Sequence, residues 1–241
     1  PTKAACPAAG TCALVCLNTA GNPAYLKGKL ACRARRDKAF RESPNLFLRL
    51  LTIEVLRFYS KNSTNDLLGL RLNGTSDYHW ENIAVNITET DSRYILKTFN
   101  INLNCGRYDS VLLAILNAYD YNKESRVGDT LHAYDYTKRT DRDFLKCHNM
   151  GYHLTLSHGS KFNTLQAALE NKLNYAAAFD IGRNKPLPKT ITINGVTFKV
   201  LDGDKTDWRV GDKDGETFIV GLRFKRVPNM TEELKRSFCI A

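Results

Sequence analysis

No run of this 241-residue chain approaches the ~20 consecutive apolar residues that span a bilayer. No basic segment leading into an apolar core marks a secretory leader either. There is no Gly-x-x-x-x-Gly-Lys-Ser/Thr phosphate loop and no Gly-x-Ser-x-Gly elbow, so the P-loop and serine-hydrolase signatures are both missing. The paired histidines and the Tyr-x3-Lys nucleophile of a metal-dependent nicking enzyme are also lacking: His148, His153 and His158 are scattered. Internal repeats and low-complexity tracts are absent, and only seven prolines break the chain. What remains is the composition of an ordinary globular protein, long enough to bury a sizeable core.

One charge sign is in deficit. Thirty-five Lys and Arg face 25 Asp and Glu, a net charge of +10, which points to contact with polyanions or simply to a well-solvated surface. The densest basic run is "CRARRDK" (Arg33, Arg35, Arg36, Lys38), with "RFKR" (Arg223 to Arg226) second.

Seven cysteines are present, and four precede residue 33. A secreted disulfide scaffold is short, cysteine-dense throughout and even in number. Here Cys105, Cys147 and Cys239 are dispersed, which favours reduced thiols in a cytoplasm. The opposing signal is four sequons, at Asn62, Asn73, Asn86 and Asn229, whose glycosylation is the less favoured reading.

Periodicity outlines the elements. "KGKLACRARRDKAFRE" reads as a basic helix. "SPNLFLRLLTIEVLRFYSK" reads as a stronger one, with Ser43 as N-cap, Pro44 at N1 and Leu46, Leu50, Ile53 and Leu56 at helical spacing. "LLGLRLNG" is a strand entering a turn. Beyond it, "RYDSVLLAILNAYD", "TDRDFLKCHN" and "FNTLQAALENKL" read as helices, and "TLHAYDYTK", "YHLTLSH" and "NYAAAFDI" as strands. Such alternation predicts βα units and a mostly parallel sheet. The tail adds a hairpin turning at Asn194-Gly195, a strand in "ETFIVGLRFK" and a closing helix in "TEELKRSF". The expectation is one α/β domain over 1–241: a cysteine loop and basic helix (1–42), βα units (43–185), and a β-rich C-terminal addition (186–241).

The chemistry concentrates in "CPAAGTCALVC". Cys6, Cys12 and Cys16 stand in one short loop with small residues between them. Thiolates are soft ligands for zinc, copper(I) and iron–sulfur clusters. A structural zinc site shows paired knuckles, and no second Cys pair follows, although Cys32 is a conceivable fourth ligand. Three cysteines alone leave one iron of a cluster open. Buried or free thiols without metal are the plain alternative.

"LDGDKTDWRVGD" packs Asp202, Asp204, Asp207 and Asp212 together without the ligand spacing of an EF-hand. A turn whose acids cap backbone amides is favoured over a cation site, with pairing to Arg209 a further option. In "HAYDYTKR", strand alternation sets His132, Tyr134, Tyr136 and Lys138 on one face. Tyr136 and Lys138 are candidate catalytic groups if that face lines a pocket.

The succession "CPAAGTCALVC", basic helix, "PNLFLRLLTIEVL", "LRLNGTSDYHWE", and later "AYDYTKR", "YHLTLSH", "NYAAAF", "VLDGDKTDWRVGD" and "GETFIVGLRFK" resembles a family of poorly characterised bacteriophage and plasmid proteins, over nearly the whole chain. That layout is similar in turn to radical S-adenosylmethionine enzymes, although the spacing C-x5-C-x3-C differs from the commoner C-x3-C-x2-C. The resemblance implies a partial β/α barrel and a 4Fe–4S cluster on Cys6, Cys12 and Cys16, with zinc as second choice. It also implies S-adenosylmethionine as a cofactor, met by Asn73, Gly74 and Asp77 of "NGTSD". One-electron chemistry on an unknown substrate in an infected bacterial host follows. The competing expectation is a basic single-stranded nucleic-acid-binding phage protein whose cysteines hold a structural metal, motivated by the charge and by Tyr94, Phe99 and Tyr108. No membrane partner is expected.

Overall fold

In a computed structural model of the chain, residues 5–16, 23–62, 67–212, 216–225 and 231–240 are described, with side chains from residue 27 onward in the second segment. Arg226, the Asn229 sequon and the Ser63–Thr64 half of the Asn62 sequon lie outside them.

Two long helices follow the cysteine loop, α1 (Pro23–Glu42) and α2 (Pro44–Asn62). Pro44 opens α2 at its first position, where the missing N–H costs nothing. Its buried stripe is Leu48, Thr52, Val55, Leu56 and Tyr59; Leu46 and Leu50 are half exposed, so only half of the expected face is covered. Strand β1 (Leu68–Leu70) comes next, then an excursion: β2 (Val85–Ile87), α3 (Glu89–Phe99), β3 (Ile101–Asn102), β4 (Gly106–Tyr108), α4 (Val111–Leu116), β5 (Tyr119–Asp120) and β6 (Ser125–Arg126). Here the structure departs from the single helix read over 107–120. Tyr108 pairs back to Val85 and Tyr119 to Asn102, so only the apolar middle stays helical.

The remainder alternates as predicted: β7 (Leu131–Thr137), α5 (Phe144–Asn149), β8 (Tyr152–Ser157), α6 (Thr164–Glu170), β9 (Tyr175–Phe179). The hairpin β10 (Thr190–Ile193) and β11 (Val196–Asp202), then β12 (Ile219–Arg223) and α7 (Glu232–Phe238), complete it. Asn194 and Gly195 both take positive φ, the geometry a two-residue hairpin turn needs.

Seven strands form one sheet in the order β1-β7-β8-β9-β12-β11-β10, parallel throughout except for β10 against β11. The C-terminal strands therefore extend the main sheet rather than forming a sheet of their own. Two small antiparallel sheets, β2-β4 and β3-β5-β6, belong to the excursion. The core is one cluster in which α2 packs with α3 and α4 and residues of β7 and β8 join them, through Leu56, Tyr59, Ile95, Leu112, Ile115, Leu131 and Leu156. No helix among the described residues is long and apolar enough to cross a membrane.

The register decides what stands on the other face. Tyr136 is level with Thr155, which places Tyr134, Tyr136 and Lys138 beside His153, Thr155 and Ser157. The loop after β11 covers this polar face. Trp208 packs against His132 and Tyr134, and a methyl on Gly69 would meet its ring at 3.1 Å. A loop leaving β11 thus reaches β1 and β7 on the opposite side of the sheet.

Candidate functional site

The cysteine loop sits on the carboxyl ends of the parallel strands, where open α/β sheets place their ligands. Gly10 and Cys12 donate their N–H groups to the Gly159 carbonyl, at 2.9 and 3.1 Å, just past β8. Lys161 N–H and Ser160 Oγ both donate to the Ala8 carbonyl at 3.1 Å, and Asp77 N–H donates to Ala5 at 2.7 Å. The small residues of this loop are needed for contact with β8. A methyl on Gly10 would stand 2.7 Å from the Ser160 backbone, and Ala8 is buried. Gly159 has φ +79°, and a methyl there would fall 3.0 Å from Cys12.

All seven cysteines are without disulfides. Cys6, Cys12 and Cys16 are each half-buried. The Cys6 thiol is pushed up to about 11, first by burial, then by the negative field of Asp77, with Cys12 and Cys16 adding to it and Lys138 opposing. Among the described residues no group of three or more His, Cys, Asp or Glu side chains is already set to hold a metal ion. The donors gathered here are three soft sulfurs, whereas a closed tetrahedral zinc site needs four ligands. As donor types the three sulfurs match the ligands of a cluster with one open iron, but as placed they do not form a metal site. Cys32 belongs to α1, and Cys239 lies beyond α7 in the field of Asp180 and Lys235.

Lys138 is brought to this loop. Its backbone N–H donates to Asp77 Oδ2 at 2.8 Å, and its ammonium donates to Ser157 Oγ at 2.5 Å. Its charge reaches both Cys6 and His158, whose Nδ1 lies 2.9 Å from the Tyr175 hydroxyl. Tyr136, two residues back on the same face, is taken up elsewhere. The Arg71 guanidinium lies over its ring at 4.7 Å, and burial pushes its hydroxyl up to about 12.

The turn Asn73–Asp77 is where the resemblance puts it, after β1, but its polar atoms serve the fold. Asn73 is buried: its Oδ1 accepts from Ser76 Oγ, Tyr78 N–H and Trp80 Nε1, each at 2.9 Å, and its Nδ2 donates to the Tyr78 carbonyl. A glycan cannot reach so enclosed an amide. Asp77 is 2% exposed and accepts from Thr137 Oγ1, Lys138 N–H and Arg142 Nη2. Arg142 bridges Asp77 to Glu81, Nη1 donating to Glu81 Oε2 at 3.0 Å, and both partners of that second bond are fully buried. Gly74 alone borders open space, since a methyl there would meet nothing within 4 Å.

The acidic stretch resolves into pairs. Arg223 holds Asp202 and Asp204, Arg71 holds Asp207, and Arg209 holds Asp212. Capping is present as well: Asp202 accepts from Asp204 N–H and Asp204 from Arg223 N–H.

Sequence reasoning missed Ser157, His158, Ser160, Glu81 and Arg142. None lies in a local motif, and the pairing of Lys138 with Ser157 emerges only once β7 and β8 are in register. A family model described as Gene product 88 matches residues 1–100, the stretch holding the cysteine loop, α1, α2 and the Asn73–Trp80 turn. This fits an uncharacterised phage protein family. No curated protein and no solved structure matches.

Proposed function

We propose that loop 5–16 holds an iron–sulfur cluster of the 4Fe–4S type through Cys6, Cys12 and Cys16, on a sheet of partial-barrel kind. The chain would then be a phage-derived protein similar to radical S-adenosylmethionine enzymes. The observation that supports this is a loop carrying three free thiols that its backbone pins to the strand ends. A bound cluster supplies single electrons to a ligand at its open iron.

The residues of the chain have separable parts in this reading. Asp77 positions: its N–H fixes the start of the loop and its carboxylate fixes the backbone of Lys138. Lys138 offers a cation to an anionic group of the bound cofactor or substrate, with Ser157 orienting it. Gly74 leaves space beside the turn for S-adenosylmethionine to approach.

Anaerobic reconstitution with ferrous iron and sulfide tests the proposal. The wild-type chain should turn brown and retain both elements through gel filtration. The variants C6S, C12S and C16S should each lose colour, and C105S should keep it. Wild-type protein that emerges colourless and free of iron and sulfide would end this reading, and retained zinc without sulfide would replace the cluster with a structural metal.

A further inference from the structure

Helix α1 is at odds with its setting. None of residues 27–42 is buried, and of this stretch Phe40 alone packs on the core. An exposed helix usually carries an apolar stripe toward the protein; this one instead carries Lys27, Lys29, Arg33, Arg35, Arg36, Lys38 and Arg41 against Asp37 and Glu42. Both acids are engaged at i,i+4, Asp37 by Arg41 and Glu42 by Lys38. Lys27, Arg35 and Arg36 are exposed, and no ion pair among the described residues involves them. Uncompensated charge remains, spaced at helical intervals, with Ala31 and Ala34 between the cations so that a ligand backbone approaches closely.

We propose that α1 docks the phosphate backbone of a single-stranded nucleic acid and leads it to the cysteine loop. Arg35 and Arg36 suit phosphate, whose oxygens a guanidinium grips in pairs. From Lys27 to Lys38 the helix rises about 16 Å, enough to follow two or three phosphates of an unstacked strand. A lipid surface is the wrong partner, because a membrane-surface helix needs the apolar face that α1 lacks.

The position of the helix gives the route. Phe40 packs on Tyr78 and Trp80 at ring distances of 5.4 and 6.0 Å, and the Tyr78 hydroxyl donates to Asp37. The neighbouring Asp77 N–H holds Ala5 at the start of the cysteine loop. The basic helix and the thiols therefore flank one turn. A single strand, unlike a duplex, has bases free of the stack to enter such a site. This last step, which makes nucleic acid the substrate class, rests on the cluster reading; docking on α1 does not.

Anisotropy of a labelled 20-nucleotide single strand with the full chain reads the docking. The variant R35E/R36E should bind at least tenfold more weakly in low salt, and its plot of log affinity against log salt should be shallower by about 1.4, at ~0.7 per phosphate contact. R35Q/R36Q, which conserves side-chain bulk, should fall between. Binding is read on the full chain without added iron or sulfide, so failure of the cluster and failure of docking are read apart. Unchanged affinity and slope in R35E/R36E, or tighter binding of a duplex, would overturn the proposal. Maleimide labelling reads the route: the bound strand should protect Cys12 and Cys16, leave exposed Cys105 reactive, and protect nothing in R35E/R36E. Binding without protection would place the strand away from the loop and remove the substrate assignment.

Discussion

Asp135 gives the most quantitative test of the packing beneath the turn. It is fully buried in the middle of β7, with Oδ1 accepting from Asn73 N–H at 2.9 Å and Oδ2 from the Tyr152 hydroxyl at 2.7 Å. Those bonds favour the anion, as does Arg71, whose Nε lies 3.8 Å away. Arg71, however, spends its Nη1 on Asp207 at the surface. Burial wins, and the carboxyl is pushed up from 3.8 to about 7. Between those two values the unfolded chain has released a proton that the folded chain still holds. Stability contributed by this group is therefore complete below pH 4 and is lost as pH rises to 7.

At about 1.4 kcal/mol per unit, the loss between pH 5 and pH 8 is roughly 3 kcal/mol. Asp135→Asn removes the titration while keeping an acceptor for Asn73. Its amide then donates to Tyr152, whose hydroxyl must turn, at a cost of about 1 kcal/mol. In urea titrations the variant should be the less stable protein below pH 4, about equal near pH 5, and the more stable by about 3 kcal/mol at pH 8, since the full loss over about three pH units is roughly 4 kcal/mol. Only the difference between the two proteins matters, since other groups titrate in both. A difference that stays flat across this range would show that Arg71 and Tyr152 hold the carboxylate ionised, and the argument from burial would fail.

Three further outcomes follow from named contacts. Arg142→Met leaves Asp77 and Glu81 buried without their cation and should cost about 3–5 kcal/mol in the same urea assay; a loss below 1 kcal/mol would mean that the pair is hydrated. Gly159→Ala puts a methyl 2.7 Å from Phe238 and 3.0 Å from Cys12 at a positive φ, so roughly 2 kcal/mol should be lost, and maleimide should reach Cys12 faster as the loop lifts. Thr88→Ala deletes a capping box with Asp91 that Arg49 also grips, and should lower stability by about 1 kcal/mol without changing Cys12 reactivity.

What could be read in advance follows the range of the interactions. Pro44 and the period of residues 44–62 define α2 from local sterics, and the apolar runs around Ala177 and Leu154 define strands buried on both faces. Yet only half of the expected face of α2 is covered: Leu56 is buried and Ile53 packs on the core, whereas Leu46 and Leu50, as apolar as Leu48, stay half exposed because only the neighbours decide which is covered. The helix read over 107–120 shortened for the same reason: Tyr108 and Tyr119 find strand partners that no local rule names.

The site shows the limit most sharply, because it is assembled from partners distant in sequence. Asp77 meets Lys138 and Arg142, Lys138 meets Ser157, and the cysteine loop meets Gly159 and Ser160, with Ser160 standing 152 positions after Ala8. Asn73-Gly74 shows how one signal serves two readings. A turn-former after a strand is what a ligand needs for close approach, and also what a chain needs to reverse. Here Asn73 spends its amide on the turn itself, while Gly74 faces open space. The same holds for "CPAAGTC": small residues let a loop wrap a metal, and they let a loop lie against the end of a strand. Gly10 and Ala8 satisfy the second demand in full, so the case for a metal passes entirely to the three sulfurs. Burial and the field of Asp77 keep the Cys6 thiol protonated, so a metal would have to displace that proton before Cys6 could serve as a ligand.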